Sequence, residues 1–217
     1  MNLQIDPFAY ARQTRICRAL SIQEVQRAGG YKAIYADCPW RYDDQNCNGA
    51  AEQQYSSMTL DQLCSLPIAQ IAAPDCALFA WATFAKIEDA LTVIRYWNFQ
   101  YKSVAFDWVK LRGGRPQMGL GRWTRGSTEV CLLAVRGKPQ RQDKSVRQLI
   151  ESFVSGDEER VLYASATRHS AKPPEVRDRI VQLLGDVPRI ELFARDRVPG
   201  WDAWGDQVPG GSDVLIA

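Results

Sequence analysis

Residues 31–40 read YKAIYADCPW and give the first indication of both the fold and the site. The apolar run Tyr31–Ala36 is typical of a short buried strand. The Asp-Cys-Pro-Trp sequence at 37–40 then places a carboxylate, a turn and an aromatic ring at the end of that strand. Taken alone, such a tetrapeptide more often marks an acidic turn beside a core tryptophan, because short motifs match by chance. The rest of the chain has to distinguish the two interpretations.

Predicted strands and helices alternate along the remaining sequence. The predicted strands are 76–81, 101–110, 130–136, 160–166 and 189–194, and the predicted helices are 59–71, 85–97, 146–154 and 174–184. Residues 1–30 are predicted to form a helical extension with a capping box at Ser21 and Glu24, and residues 41–56 a polar loop. The alternation predicts one α/β domain over residues 1–217, with a mostly parallel central sheet flanked by helices on both faces.

Composition excludes several classes of protein. The chain has 217 residues, of which 46% are hydrophobic and 24% charged, as in an ordinary globular domain rather than a disordered or disulfide-scaffold protein. No apolar stretch approaches the roughly 18 residues that a membrane helix needs. The sequence shows no basic segment followed by an apolar run at its start, so secretion is not predicted and the expected compartment is the cytoplasm.

Metal-binding and dinucleotide motifs are absent from the sequence. The six cysteines are widely spaced without a Cys-x-x-Cys pair, and His169 is the single histidine, so no metal site is predicted. The Gly-x-Gly-x-x-Gly fingerprint of ordinary dinucleotide-binding folds does not occur. In an open α/β sheet the ligand binds at the carboxyl ends of the strands. The informative loops therefore follow residues 36, 81, 110 and 194.

Four further segments extend the pattern of residues 37–40. They read FDWVK at 106–110, GRW at 121–123 with EVCL at 129–132, HSAKP at 169–173, and RIELFAR at 189–195 with GW at 200–201 and WGDQ at 204–207. Together, and in this order, the five segments resemble the MT-A70 family of S-adenosylmethionine-dependent adenine-N6 methyltransferases, which carries Asp-Pro-Pro-Trp at the first position. The resemblance spans residues 31–207. It implies a Rossmann-like methyltransferase fold with a permuted, beta-class-like motif order, in which the catalytic turn comes first and the cofactor strand last.

The resemblance makes Asp37, Cys38, Pro39 and Trp40 the predicted catalytic residues. An exocyclic adenine amine is a poor nucleophile because its lone pair is delocalised into the ring. The Asp37 carboxylate and the Cys38 carbonyl are suited to accept its two N–H groups, and Trp40 is suited to stack on the base. Cys38 stands where the family has proline, so the turn loses the fixed φ of that residue. A reactive-cysteine role is disfavoured, since a neighbouring carboxylate raises the pKa of a thiol.

S-adenosylmethionine is the cofactor that the resemblance implies. The residues predicted to bind it are Ala36, Asp37, Lys110, His169, Ser170, Lys172, Phe193, Arg195, Arg197, Asp206 and Gln207. Arg195 and Arg197 are expected near its ribose, Asp206 and Gln207 near its adenine, and Lys110 near its methionine carboxylate or the catalytic centre. A solvated charge at a strand end is the alternative for Lys110 and Arg197. The family often has Asn at the position of Asp206, and Asp accepts hydrogen bonds but does not donate them.

Residues 111–126 are predicted to form a basic substrate loop. The run from Lys110 to Arg125 contains five basic and no acidic residues, with Trp123 among them, a mixture that suits phosphate contact and base stacking. The predicted nucleic-acid contacts are Tyr42, Arg112, Arg115, Arg122, Trp123 and Arg125. A solvated surface loop is the alternative. Because the whole chain carries a net charge of only +2, nucleic-acid binding has to come from such a local patch.

The predicted function is methyl transfer to N6 of adenine in DNA. DNA is preferred because the compact chain resembles the bacterial or phage branch of the family, which would place it in the cytoplasm of a bacterial cell. Two alternatives stay open, an RNA adenine-N6 methyltransferase and a catalytically inactive nucleic-acid-binding subunit. Cys38 and Asp206, the two departures from the family pattern, motivate the second alternative. The resemblance also leaves a homodimer open.

Overall fold

The computed structural model describes residues 19–42, 57–119, 123–153 and 171–216. Within these ranges the chain forms one eight-stranded sheet with helices packed against it. The strands are β1 (Tyr31–Ala36), β2 (Ala72–Ala82), β3 (Gln100–Arg112), β4 (Arg115–Pro116), β5 (Thr128–Arg136), β6 (Leu149–Phe153), β7 (Arg189–Leu192) and β8 (Asp202–Trp204). The helices are α1 (Ile22–Arg27), α2 (Leu60–Ser65), α3 (Ile68–Ile71), α4 (Ile87–Tyr96, preceded by the 3-10 turn Phe84–Lys86) and α5 (Glu175–Leu184).

The sheet has the order β4-β3-β5-β2-β1-β7-β8, and β6 pairs with β3. The β1–β2, β1–β7, β7–β8 and β3–β6 pairs are parallel, whereas β5 runs antiparallel to both β2 and β3. Strands buried on both faces read as almost continuous apolar runs, as β1 and most of β2 do. The predicted α/β fold with a mostly parallel core is confirmed, and β5 is an antiparallel strand between two parallel groups.

Two hydrophobic clusters cover the two faces of the sheet. Successive strand residues point to opposite faces, so Tyr35 belongs to one cluster with Val176 and Ile180 of α5, and Ile34 to the other with Ile94 of α4. Each helix therefore buries its apolar stripe against a different face, which confirms the predicted layering. Among the described residues, no helix combines the length and the apolar character that crossing a membrane requires.

Most predicted elements agree with the structure within a few residues. The Ser21 hydroxyl accepts a hydrogen bond from the Glu24 backbone N–H (3.3 Å), and the Glu24 carboxylate accepts one from the Ser21 N–H (2.8 Å), so the predicted capping box is confirmed. The helix predicted over 59–71 forms as α2 and α3, interrupted at Pro67. The predicted strand 160–166, most of the N-terminal extension, most of the loop 41–56 and part of the loop 111–126 lie outside the described residues.

The helix predicted over 146–154 is wrong. Leu149–Phe153 forms β6, which pairs in parallel with β3 between Asp107 and Leu111. A run of nine residues is short enough for helical and strand patterns to overlap, and hydrogen bonding to the open side of β3 favours the strand. The sequence pattern also does not predict β8, whose three residues are too few to produce a visible alternation.

The carboxyl ends of the parallel strands β1, β2, β7 and β8 lie at one edge of the sheet, because these strands run in the same direction. The antiparallel strand β5 starts at this edge, since Val130 pairs with Ala82 at the end of β2. Residues that follow β1, β2, β7 and β8, and residues that precede β5, are thereby brought together. We call this side of the sheet the carboxyl edge.

Gly30 lies in the turn that leads from α1 into β1. Its φ is +77°, and a Cβ there would lie 2.7 Å from the backbone nitrogen of Ala73. The preceding Gly29 also has a left-handed φ of +91°, but a Cβ there would have no atom within 4 Å. A side chain at Gly30 would thus meet both a strained backbone and a clash, whereas a side chain at Gly29 would meet the strained backbone alone.

We expect Gly30→Ala to lower the free energy of unfolding by about 3 kcal/mol or more, because strain and overpacking add at this position. Gly29→Ala is the matched control and should cost only about 1–2 kcal/mol, from the left-handed backbone alone. Equilibrium urea unfolding of the two variants measures the difference. Equal losses would contradict the close approach of Gly30 to Ala73.

Candidate active site

A cavity of about 520 Å³ opens at the carboxyl edge. One wall consists of Asp37, Cys38, Pro39 and Trp40, which directly follow β1. The opposite wall consists of the ends of β7 and β8 and the loop after β8. The start of β5 and the segment that precedes α5 contribute charged side chains. The cavity therefore lies where a mostly parallel α/β sheet places its ligand.

The charged groups of the cavity centre on Lys172. Its ammonium nitrogen lies 2.8 Å from Oδ1 and 2.9 Å from Oδ2 of Asp37, and 3.3 Å from Oε2 of Glu129. Lys110 binds the other oxygen of Glu129. The Lys172 side chain is only 7% exposed, and Asp37 and Glu129 are 24% and 14% exposed. Two ammonium groups and two carboxylates thus form one partly buried chain of ion pairs, which we call the Lys172 cluster.

The pKa shifts within the Lys172 cluster follow from burial and pairing. Burial opposes the charged form of Lys172, but Asp37 and Glu129 outweigh burial and raise its pKa above the usual value. Burial likewise tends to raise the pKa of Glu129, but Lys172 and Lys110 outweigh it and lower that pKa. At neutral pH Lys172 is therefore a fixed cation and Glu129 a fixed anion. Neither is a proton acceptor or donor of ordinary strength, so their role is electrostatic.

The turn after β1 is held by two backbone hydrogen bonds and carries the acceptors predicted for a substrate amine. The Cys38 carbonyl accepts from the Trp40 N–H at 2.9 Å, and the Pro39 carbonyl accepts from the Met58 N–H at 2.8 Å. These bonds fix the turn although Cys38 replaces the proline that would restrict it. A carbonyl oxygen has two lone pairs and each carboxylate oxygen has two. The Cys38 carbonyl and the Asp37 carboxylate therefore keep acceptor capacity for a ligand.

Aromatic rings line the cavity around these acceptors. The Trp40 indole N–H donates to the carbonyl of Trp81 at 3.3 Å, which holds the ring between the ends of β1 and β2. Phe193 and Trp204 meet edge to face, with their centroids 5.2 Å apart, on the opposite wall. The Tyr42 hydroxyl shares a 2.8 Å hydrogen bond with the Thr83 hydroxyl at the rim. A planar heterocycle is the kind of ligand that such walls accommodate.

Phe193 and Gly205 shape the wall formed by β7 and β8. Phe193 has a φ of +58°, which is unusual for a residue with a bulky side chain, and it lines the cavity. A Cβ on Gly205 would overlap the backbone of Ala194, so the chain approaches itself there as only glycine allows. Asp206 and Gln207 follow directly and line the cavity with polar groups. Backbone strain concentrated in a cavity wall is typical of a ligand site.

Arg197, predicted near the cofactor's ribose, is not among the residues that line the cavity. Its guanidinium donates to the carbonyls of Pro209 (2.8 Å) and Gly211 (2.6 Å) and to the carboxylate of Asp213 (2.8 Å). Asp213 is buried and also accepts from the Ala203 N–H at 2.9 Å. Arg197 therefore ties the loop after β8 to the sheet from outside the cavity. Arg195, two residues earlier in the chain, lines the cavity.

The other predicted site residues differ in how they lie relative to the cavity. Lys110 does not line it, because its ammonium group binds Glu129 and lies 4.7 Å from the centre of the Trp108 ring. Lys172, predicted in a cofactor-side loop, lines the cavity and binds Asp37 and Glu129. Ala36 is completely buried at the end of β1. His169, Ser170 and Arg122 lie outside the described residues.

Sequence reasoning did not give Glu129 a role. Its place in the site depends on the antiparallel direction of β5, which brings the start of that strand to the carboxyl edge. The signal in the sequence is an acidic residue at the start of an apolar strand that follows a basic loop, and this signal is visible only when the strand direction is known. Trp81 was predicted within a strand, and its ring faces the Lys172 ammonium group at 5.5 Å.

The predicted nucleic-acid contacts lie at or beyond the rim of the cavity. Tyr42 lines it, whereas Arg112, Arg115, Trp123 and Arg125 are exposed on the hairpin between β3 and β5. Cys38 is buried, and burial and Asp37 raise the pKa of its thiol, so it is not a reactive thiolate. In the described part of the chain, no three His, Cys, Asp or Glu side chains are grouped as metal ligands.

Comparison with known proteins assigns the chain to a family. The model of the MT-A70 family matches residues 31–207. The type II methyltransferase M.MunI of Mycoplasma sp is 32% identical over 199 residues, which are 82% of this chain and 78% of that protein. Human N(6)-adenosine-methyltransferase catalytic subunit METTL3 is 28% identical over 204 residues, and human N(6)-adenine-specific methyltransferase METTL4 is 28% identical over 187. This chain covers about a third of each human protein, 31% and 37% of their lengths.

The fold and the site at its carboxyl edge, taken with these matches, define an α/β methyltransferase. The chain belongs to the MT-A70 family, as the sequence motifs predicted. The cofactor of this family is S-adenosylmethionine. The described residues fit such a group, because the cavity wall carries Phe193, Asp206 and Gln207. Aromatic, carboxylate and amide groups match an adenine ring and ribose hydroxyls in chemistry.

Glu129→Gln tests the charge of the Lys172 cluster through the pH dependence of stability. The pKa of Glu129 is lowered in the folded protein, so its ionised form stabilises the fold above its usual pKa of 4.5, and this contribution is lost as the pH falls further. We expect wild type to exceed Glu129→Gln by about 2 kcal/mol between about pH 6 and 8. The difference should shrink below the usual pKa. Denaturant unfolding across this pH range measures it, and a difference that grows in acid would contradict the pairing.

Arg197→Ala tests whether the loop after β8 positions the cofactor. Losing the guanidinium frees the loop that carries Asp206 and Gln207, so we expect the KM for S-adenosylmethionine to rise about tenfold, with kcat changed less than about twofold. Steady-state methyl transfer at saturating nucleic acid gives both constants. Arg95→Ala, which removes an exposed arginine from α4, is the matched control and should change neither. An equal fall of kcat would show that Arg197 acts on the chemical step instead.

Proposed function

We propose that this chain transfers a methyl group from S-adenosylmethionine to N6 of adenine in DNA. The observation that carries the proposal is the position of Asp37. Its carboxylate lies in the wall of an aromatic-lined cavity, beside the Cys38 carbonyl and fixed by Lys172. A carboxylate and a carbonyl at adjacent residues suit the two N–H groups of one exocyclic amine. Family membership supports the same chemistry.

The chain's own groups act by positioning and charge. Asp37 and Cys38 accept hydrogen bonds from the adenine amine, which draws the lone pair out of conjugation with the ring and directs it along the cavity. The negative Asp37 carboxylate stabilises the positive charge that develops on nitrogen as the new carbon–nitrogen bond forms. Asp37 then accepts the N6 proton that is released. Lys172 prevents the carboxylate from rotating away, so the acceptor geometry exists before the base arrives.

We place the cofactor against the wall formed by β7 and β8. When bound, S-adenosylmethionine would supply a methyl group activated by the positive charge on sulfur, and it would leave as the neutral thioether once the carbon–sulfur bond is broken. Phe193 would pack against its adenine, Asp206 would accept from donor groups on the ribose or ring, and the Gln207 amide would both donate and accept. Arg195 lines the cavity on the same wall.

DNA is preferred to RNA on the evidence of the relatives. M.MunI is a type II methyltransferase, a class that modifies DNA, and its match covers most of both chains. METTL3 carries an adenosine-methyltransferase name, but this chain spans under a third of its length. The exposed basic hairpin that carries Arg112, Arg115 and Arg125 supplies phosphate contacts for either polymer.

Asp37→Asn should reduce methyl transfer at least about a hundredfold, since the amide keeps the shape but loses the negative charge at the reacting nitrogen. The matched control is Asp61→Asn, an exposed carboxylate of α2, which should retain full activity. Mass spectrometry of nucleosides from DNA and RNA of cells that express each variant measures N6-methyladenine directly.

Three results of this experiment distinguish the alternatives. N6-methyladenine in DNA that disappears with Asp37→Asn supports the proposal. The same result confined to RNA would replace DNA by RNA as the substrate. No modified base in either polymer, from a wild-type chain that binds nucleic acid but not S-adenosylmethionine in calorimetry, would assign the chain to the inactive, nucleic-acid-binding class.

A further inference from the structure

Trp123 is exposed to an extent that no packing role explains. Its side chain is 99% exposed, whereas Trp81, Trp97 and Trp108 are each at most 2% exposed. Burial of an indole ring is among the largest hydrophobic contributions that one residue makes to a fold. A fully exposed indole therefore forgoes that contribution in the free protein. Tryptophan is enriched at interfaces, where a partner covers the ring.

Trp123 lies in the loop that follows a backbone-bonded hairpin. In the hairpin, Arg112 pairs with Arg115 across Gly113 and Gly114, whose φ values of +57° and +73° suit a tight two-residue turn. The Lys110 carbonyl accepts from the Gln117 N–H at 2.7 Å, and the Gly126 carbonyl accepts from the Gly119 N–H at 2.7 Å on either side of Trp123. We call residues 110–119 and 123–127 the basic arm. Because both ends of the arm are bonded, it presents its side chains from a defined base.

The charge of the basic arm matches a phosphate backbone. Arg112, Arg115 and Arg125 are exposed, and none of them forms an ion pair with another residue that the structure describes. The sequence from 108 to 128 has no acidic residue, while the whole chain is nearly neutral at +2. The arm is thus a local positive patch that contains a bare aromatic ring and the exposed Met118. Arginines beside an insertable apolar side chain are the combination used by proteins that separate stacked bases.

The basic arm projects from the same edge of the sheet as Asp37. β3 ends and β5 begins at the carboxyl edge, because Val109 pairs with Thr128 and Val130 with Ala82. Asp37 lies inside the cavity and is only 24% exposed, so an adenine stacked within a duplex cannot reach it. The base has to leave the stack, and leaving it opens a gap between the neighbouring base pairs.

We propose that Trp123 inserts into duplex DNA at the position that the target adenine vacates, while Arg112, Arg115 and Arg125 bind the flanking phosphates. The inference rests on the proposed function and deepens it, since it names the double-stranded form as substrate. Trp123 replaces the stacking that the extruded base gives up, and thereby lowers the free energy of the flipped state. A ring that merely stacked on an unpaired strand would serve single-stranded substrates equally.

The test compares two duplexes that differ only in the cost of extruding the adenine. Sequencing of duplex DNA treated with wild type first locates the methylated position. Synthetic duplexes then carry that adenine opposite thymine or opposite an abasic site, where pairing is already lost. We expect Trp123→Ala to lower kcat/KM about tenfold or more on the thymine duplex but less than about twofold on the abasic duplex. Trp123→Phe should fall between wild type and Trp123→Ala on the thymine duplex.

Two further variants serve as controls. Arg125→Ala should weaken methylation of both duplexes by the same factor and reduce the salt dependence of binding, as the loss of a phosphate contact does. Tyr96→Ala removes an aromatic side chain that is 69% exposed on α4, away from the arm, and should change neither duplex. Far-UV circular dichroism and thermal unfolding check that each variant is folded.

A second readout does not depend on catalysis. With 2-aminopurine in place of the target adenine, wild type should raise the fluorescence on binding and Trp123→Ala should raise it much less. If Trp123→Ala lowers kcat/KM equally on both duplexes, or on neither, the insertion is overturned. It is also overturned if wild type methylates only single strands or RNA. A wild type that methylates no polymer would contradict the proposed function, and with it the insertion that rests on that function.

Discussion

Lys172 places its ammonium group between the carboxylates of Asp37 and Glu129, and the geometry of the carboxyl edge depends on this arrangement. A lysine that is 7% exposed carries a large desolvation penalty unless anions surround it. Here two carboxylates do so, one from the turn after β1 and one from the start of β5. The same contacts that stabilise the buried cation hold the Asp37 carboxylate in place. Stability of the edge and preorganisation of the site therefore have a common origin.

The antiparallel direction of β5 determines where Glu129 lies. A parallel strand in the place of β5 would bring its carboxyl end to this edge and its first residue to the far side of the sheet. The antiparallel direction brings Glu129 beside Lys172 and lets the preceding loop project from the same edge. One topological feature thus supplies both the second carboxylate of the Lys172 cluster and the base of the basic arm.

The opposite wall of the cavity is held by close backbone packing and by one ion pair outside the cavity. Phe193 has a left-handed backbone conformation, Gly205 packs against Ala194, and Arg197 with the buried Asp213 ties the chain beyond residue 207 to β8. The two walls are thus held by different interactions, the one at Asp37 by the Lys172 cluster and the other by contacts within the chain from β7 to the loop after β8.

The sequence by itself determined the elements that depend only on residues close together in the chain. The apolar run Tyr31–Ala36, the capping box at Ser21 and the helix predicted over 174–184 are confirmed, and five ordered motifs were sufficient to identify the family. Only the tertiary structure decided that 149–153 is a strand, that Glu129 belongs to the site, and that Arg197 lies outside the cavity. The first depends on a neighbouring strand edge, the second on strand direction, and the third on which backbone carbonyls come within reach of one guanidinium. These are relations between residues distant in sequence, and periodicity along the chain does not encode them.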